Sequence, residues 1–224
     1  MVLAMPTKSQ RQKALETLPT ELYCSFQAIT SRIRNCPNVS QAELGIQVLM
    51  WLHLAYRPLK LEELQHALAV EKSQIEFKKD NIPSQKMLLN SYFRLVVVDN
   101  KTLTVHFVHY TLEEYFREHT REEFPNGYSY IAKTCLTYLS FGELRLHCTS
   151  LESLNKKMKE YALLGYASLY WGTYVKQQFN DSLTEYVKVM VDHQWGYPPC
   201  AFGPAAHQCT ETFRDPCNSI LWTN

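Results

Sequence analysis

LVVVDNKTLTVHFVHYTLEEYFREH, residues 95–119, is the stretch on which the fold turns. Its first four residues are rich in β-branched side chains, and Asp99-Asn100-Lys101-Thr102 supplies turn residues. From Thr104 to His109, the residues Val105, Phe107 and His109 alternate with Thr104, His106 and Val108. Two such runs around a short polar link predict a β-hairpin. The period then changes: Leu112, Tyr115, Phe116 and His119 share one helical face. Thr111 and Glu114 stand at the change with the spacing of a capping box. In that motif the Thr111 hydroxyl accepts from the Glu114 amide, and the Glu114 carboxylate accepts from the Thr111 amide. His109 is thereby placed at a strand end, just ahead of a helix N-terminus.

Upstream of this stretch the pattern is helical. Pro83 and Ser84 open a helix whose inward positions are Met87, Leu88 and Tyr92, and the charged run Glu71 to Asn81 before it reads as a surface loop. Leu61, Leu64 and Leu68 mark another helix, with Glu62 and Glu63 favourably placed in its first turn. Arg57-Pro58 breaks the run Leu44 to Tyr56, which is apolar almost all round and predicts a central buried helix. Ser40 and Glu43 form a second capping box ahead of that run. Three helices followed by a two-stranded wing is the order of a winged helix, placed here at residues 41–119. Residues 1–40 read as a polar leader and a linker helix. That helix starts at Thr17-Leu18-Pro19, carries the stripe Leu22, Phe26, Ile29 and Ile33, and ends at Asn35-Cys36-Pro37-Asn38.

Downstream, residues 120–194 predict a helical array. Ile131, Cys135, Tyr138 and Leu139 recur at helical spacing, and Tyr161, Leu164, Tyr166, Tyr170, Trp171 and Tyr174 make an aromatic-rich face that reads as core. Ser182 and Glu185 form a third capping box. Such helix pairs suggest a repeat-like layer behind the wing, although no strict period is visible. Residues 195–224 carry four prolines and three cysteines without periodicity and read as a poorly ordered tail. The fold class is therefore mainly α with a small β-hairpin: a winged helix followed by a helical, repeat-like array.

Composition narrows the function. A net charge of +1 over 224 residues provides no general field for nucleic acid or anionic membrane. Seven irregularly spaced cysteines read as reduced thiols rather than a disulfide framework, which points to the cytoplasm. The apolar start at Met1 to Met5 is too short for a secretion signal, and Leu44 to Tyr56 is too short to span a bilayer. No Gly-Lys-Ser/Thr loop, Gly-x-Ser-x-Gly elbow or His-Glu-x-x-His motif occurs. The run Val96-Val97-Val98-Asp99 looks like a magnesium-binding strand, but without a phosphate loop it is read as wing and turn. His106 and His109, three apart on a strand, face opposite sides and are not read as a metal site with Glu113. Cys200, His207, Cys209 and Cys217 lack zinc-site spacing. Glu113-Glu114 and Glu122-Glu123 read as solvated or capping charges. Neither catalysis, a metal nor a cofactor is expected.

Five phrases, in order, carry a resemblance: LPTELY (18–23), YRPLKLEELQHALAV (56–70), LVVVDNKTLTVHFVHYTLEEYF (95–116), FPNGYSYIAKTCLTYLSF (124–141) and YALLGYASLYWG (161–172). Over roughly residues 14–190 the chain resembles the winged-helix and helical region of NACHT-type STAND proteins, as in the large fungal NACHT–ankyrin proteins. The same module is also named for GPI inositol-deacylase-like proteins. The resemblance implies a regulatory, non-catalytic module that packs on an NTP-binding cassette, in cis or in trans, and on other protein domains. ADP or ATP would be met only through that cassette. In animal relatives a histidine in a phrase like F-x-H-x-S/T-x-x-E-F/Y-F contacts the β-phosphate of ADP, and Phe107 to Phe116 aligns His109 with it. A helix N-terminus favours anions, and even a neutral histidine there can donate to a phosphate oxygen. The structural alternative is that His109 pairs with a backbone carbonyl and locks strand to helix. Lys60 replaces the usual capping Thr or Ser, and Arg94 replaces a Gly that often closes the third helix. The cassette and the ankyrin repeats of the larger relatives are expected to lie outside these residues.

The rival reading is DNA binding by the winged helix. Its third helix would offer Gln85, Lys86, Asn90 and Arg94, with Lys101 on the wing reaching phosphate. From Lys78 to Lys101, five basic residues face only Asp80 and Asp99, which is a local patch in a near-neutral chain.

Overall fold

A computed structural model of the chain describes residues 22–71, 74–90, 95–145, 150–178, 183, 184, 186 and 187. The leader, the helix start at Thr17-Leu18-Pro19, Tyr92, Arg94, the Ser182/Glu185 box and the tail over 195–224 lie outside them.

The described helices begin with α1 over 22–34, whose Phe26 and Ile33 are buried as the stripe predicts. Helix α2, Val39–Leu54, is the centre of the molecule: Val48, Leu49 and Trp51 are completely buried. Its cap differs from the expectation. Asn38, not Ser40, is the N-cap, and its side chain accepts from the Gln41 amide at 3.1 Å. The helix starts one residue before Ser40, so Ser40 already has helical geometry. It cannot cap, and Glu43 has no partner role there.

Helix α3, Leu61–Leu68, follows the Arg57-Pro58 corner. Lys60 is its N-cap and has no acceptor to offer. The carboxylate of Glu63 compensates by accepting from the Lys60 amide at 2.8 Å. The next segment is not wholly a surface loop. Phe77 is buried and stacks on His66, with ring centroids 4.7 Å apart, before a 3₁₀ turn at Lys79–Asn81. A short α4, Gln85–Asn90, buries Leu88 but leaves Met87 43% exposed, against the inward position read for it.

Strands β1, Val96–Val98, and β2, Val105–Phe107, pair antiparallel with Val97 opposite His106. The turn between them is tied by Asp99, whose side chain accepts from the Lys101 amide at 2.7 Å. Leu103 closes it at φ 57°, a left-handed backbone that costs a β-carbon residue about 1–2 kcal/mol. Its carbonyl is held by the Leu61 amide at 2.9 Å, and the Val105 amide donates to the Leu59 carbonyl at 2.9 Å. With the Lys60–Thr104 bridge, the segment before α3 thus pairs with the far side of β2. The hairpin pattern alone did not reveal that third segment, because it contains only three residues around Lys60.

Helices α5, Tyr110–Glu118, and α6, Thr120–Glu123, follow directly. Helix α7, Gly127–Ser140, packs on α10, Leu164–Gln177, with short α8, Gly142–Arg145, and superficial α9, Leu151–Glu160, between them in sequence. Gly127 lets α7 approach α2: a β-carbon there would sit 2.4 Å from Leu54 Cδ1. Tyr166, Trp171 and Tyr174 are buried, as the aromatic face predicts, and Tyr170 is half-buried. Tyr138 of α7 is buried as well, and Leu183 and Val187 join the core. One hydrophobic cluster runs from Phe26 to Val187, so the wing and the helices behind it share a core.

Glu123 overturns its reading as a solvated charge. It is buried, paired with Arg34 on α1 at 2.5 Å, and accepts from the Tyr115 hydroxyl at 2.5 Å. Burial and this carboxylate together push the Tyr115 phenol well above its ordinary range.

Candidate functional site

His109 is the N-cap of α5, with extended backbone (φ −124°, ψ 130°), and its carbonyl accepts from the Leu112 amide at 3.1 Å. Its side chain makes no capping bond, and the residue is exposed. The Thr111–Glu114 box therefore does not form. Helix α5 begins at Tyr110, so Thr111 is already inside the first turn and its hydroxyl is not placed to cap. The first turn keeps its amides without a side-chain acceptor, which is the arrangement that favours an anion.

Beside His109 lies a groove of about 340 Å³, bounded by His53, Arg57, His106, His109, Tyr110 and Glu113. Three elements meet there: the end of α2 with the Arg57-Pro58 corner, strand β2, and the start of α5. His106 faces Val97 across the hairpin, and its Nε2 lies 2.6 Å from the Thr104 hydroxyl. Glu113 is near Arg117 one turn later, at 3.7 Å. Tyr110, 62% exposed, lines the groove, and its chain neighbour Val108 is exposed as well.

His53 lies deeper, and its Nε2 is 2.8 Å from the Thr120 hydroxyl. The proton of Thr120 goes to the Phe116 carbonyl at 2.6 Å, so His53 Nε2 carries the hydrogen and donates. Its buried Nδ1 has no partner among the described residues. Burial, and then the charge of Arg117, lower its pKa to about 4. His66, bonded through Nδ1 to the Tyr138 hydroxyl at 2.8 Å, is lowered to about 4 by burial and by Lys79.

Both histidines are thus held neutral in the fold, whereas each protonates near 6.5 when unfolded. Their contribution to stability is complete above pH 6.5 and is lost as the pH falls toward 4. The loss between pH 7.5 and pH 5 should be on the order of 1–2 kcal/mol per histidine, the smaller value for the more accessible His53. Urea titrations at the two pH values read this directly. A His66→Gln variant should flatten the dependence, and a midpoint indifferent to pH would contradict the assignment.

The DNA-reading residues are only partly assembled. Lys86 on α4 and Lys101 in the wing turn are exposed, but Lys79 is occupied by Glu160 at 2.8 Å. The side chain of Asn90 and all of Arg94 lie outside the described residues. Among the described residues, no cluster of histidine, cysteine and carboxylate groups could hold a metal. No described helix is long and apolar enough to cross a membrane. Arg57, like His53 and Tyr110, lines the groove without being a candidate that any sequence motif marks. Its signal was the Arg-Pro corner, which reads from sequence only as a helix breaker.

Residues 38–125 match the family model described as the GPI inositol-deacylase, winged helix domain, and this part of the chain is a winged helix of that type. No curated protein and no solved structure matches the chain.

Proposed function

We propose that this chain is a non-catalytic regulatory module whose winged helix leans on the nucleotide of a NACHT-type NTPase cassette, supplied in cis or in trans. The observation that carries this reading is His109. It is exposed at an uncapped helix start, on the rim of a groove that also holds Arg57. An imidazole sealed beneath apolar groups could not reach a phosphate on another domain; this one can. The exposed Val108 and Tyr110, its chain neighbours, suit contact with a protein surface. The chain itself has no phosphate-cradling loop, so ADP or ATP is met only through the cassette, in the cytoplasm, with no cofactor of its own.

The test uses the full chain mixed with a NACHT cassette loaded with a fluorescent ADP analogue. One lost hydrogen bond to a charged phosphate is worth about 1.5 kcal/mol or more, so His109→Ala should speed ADP release roughly tenfold. The chain alone should not hydrolyse ATP. ADP release that ignores the His109→Ala change removes the sensing role.

A further inference from the structure

Arg57 is fixed in a way that leaves one edge of its guanidinium open. Nη1 donates to Glu63 Oε2 at 2.8 Å and to the Pro58 carbonyl at 3.1 Å, and Nη2 donates to Glu63 Oε1 at 2.6 Å. These bonds use both hydrogens of Nη1 and one of Nη2. The Nε hydrogen and the second Nη2 hydrogen have no partner among the described residues. Those two hydrogens lie parallel on the side edge of the group, the geometry that matches two oxygens of a phosphate or carboxylate. The group cannot swing freely. Glu63 holds it end-on and is itself fixed by the Lys60 amide at 2.8 Å, and the Arg57 guanidinium carbon stands 5.0 Å from the centre of the Tyr166 ring.

We propose that Arg57 is a phosphate-binding residue of the groove, its side edge taking two oxygens of a diphosphate whose other end meets His109. This rests on the nucleotide-sensing reading and adds a second contact to it. Both residues line the same groove of about 340 Å³, which accommodates a diphosphate. The charges around it nearly cancel: Glu63 balances Arg57, and Glu113 faces Arg117. Recognition therefore depends on directed N–H groups rather than on net charge. The chain alone should bind a diphosphate only in the millimolar range, and tight retention needs the cassette's own contacts.

Inorganic pyrophosphate titrated into the full chain, followed by NMR at the arginine Nε–H resonances, tests the assignment. The Arg57 resonance should shift saturably below about 10 mM. Arg57→Lys keeps the charge but not the paired hydrogens, so its affinity should drop at least about fivefold. An Arg57 resonance unmoved at that concentration, or an Arg57→Lys variant that binds like the parent, overturns the proposal. Should the lysine variant not fold, the resonance in the parent chain still decides. The sensing role of His109 is judged separately, by ADP release from the complex, so failure of one is not mistaken for failure of the other.

Discussion

Replacing Glu123 by alanine should destabilise the chain by about 3 kcal/mol, one of the largest losses a single change can produce here. The carboxylate sits where α1, α5 and the end of α6 meet, and it is 8% exposed. It accepts from the Tyr115 hydroxyl at 2.5 Å and forms an ion pair with the Arg34 guanidinium at 2.5 Å, whose Nη2 also donates to the Glu123 backbone carbonyl at 2.8 Å. Arg34 is 39% exposed on its side chain, so it can turn to water and recover part of its solvation. Tyr115 is 2% exposed and cannot. Its orphaned hydroxyl alone costs about 1–3 kcal/mol, and the vacated volume adds to that. Adding Tyr115→Phe should therefore recover stability, because the orphan disappears with the oxygen. Urea denaturation of the single and double variants reads both effects. A Glu123→Ala loss below about 1 kcal/mol would show that the carboxylate is dispensable.

Tyr174→Phe should cost about 2–3 kcal/mol, more than Tyr166→Phe. The reason is the direction of a buried chain of hydrogen bonds. The Tyr56 amide donates to the Tyr166 oxygen at 3.1 Å, and the Tyr174 hydroxyl donates to the Leu54 carbonyl at 3.0 Å. The 2.5 Å bond between the two phenols must then run from Tyr166 to Tyr174. Burial drives the pKa of both phenols far upward, so neither ionises in this setting. Without the Tyr174 oxygen, the Leu54 carbonyl loses its donor and the Tyr166 proton loses its acceptor. Without the Tyr166 oxygen, only the Tyr56 amide and the accepting side of Tyr174 are left, and Tyr56 lies near solvent. Chemical denaturation of the two variants gives the ordering, and the reverse ordering would contradict the chain's direction. The same bonds pin the end of α2, where Arg57 begins the groove, to α10. Tyr174→Phe should also raise amide exchange at Tyr56 and Arg57.

Much of the architecture was legible because it depends on period. The change from alternation to helical spacing between Phe107 and Leu112 marked the hairpin and α5, and the apolar run from Leu44 marked the central helix. The phrase around Phe107 to Phe116 pointed to His109, and the geometry gives that residue an open position. Helix starts were less legible. A Ser or Thr followed three residues later by Glu matches a capping box, yet at both described sites the backbone enters the helix earlier, at Val39 and at Tyr110. Local spacing cannot choose between neighbouring starts when packing sets where the helix ends up. Lys60 shows the converse: a side chain unable to cap is tolerated because Glu63, three residues later, reaches back.

The amino-acid order by itself determined the mainly helical class, the wing, the buried aromatic face and the absence of a phosphate loop. Each follows from residue type and spacing within a few turns of chain. Only the tertiary structure decided that Glu123 is buried beside Arg34, 89 residues earlier, that Phe77 turns into the core, and that Arg57 and His109 share one groove. Burial, pairing and convergence are properties of distant segments brought together, and no local pattern along the chain encodes which segments those will be.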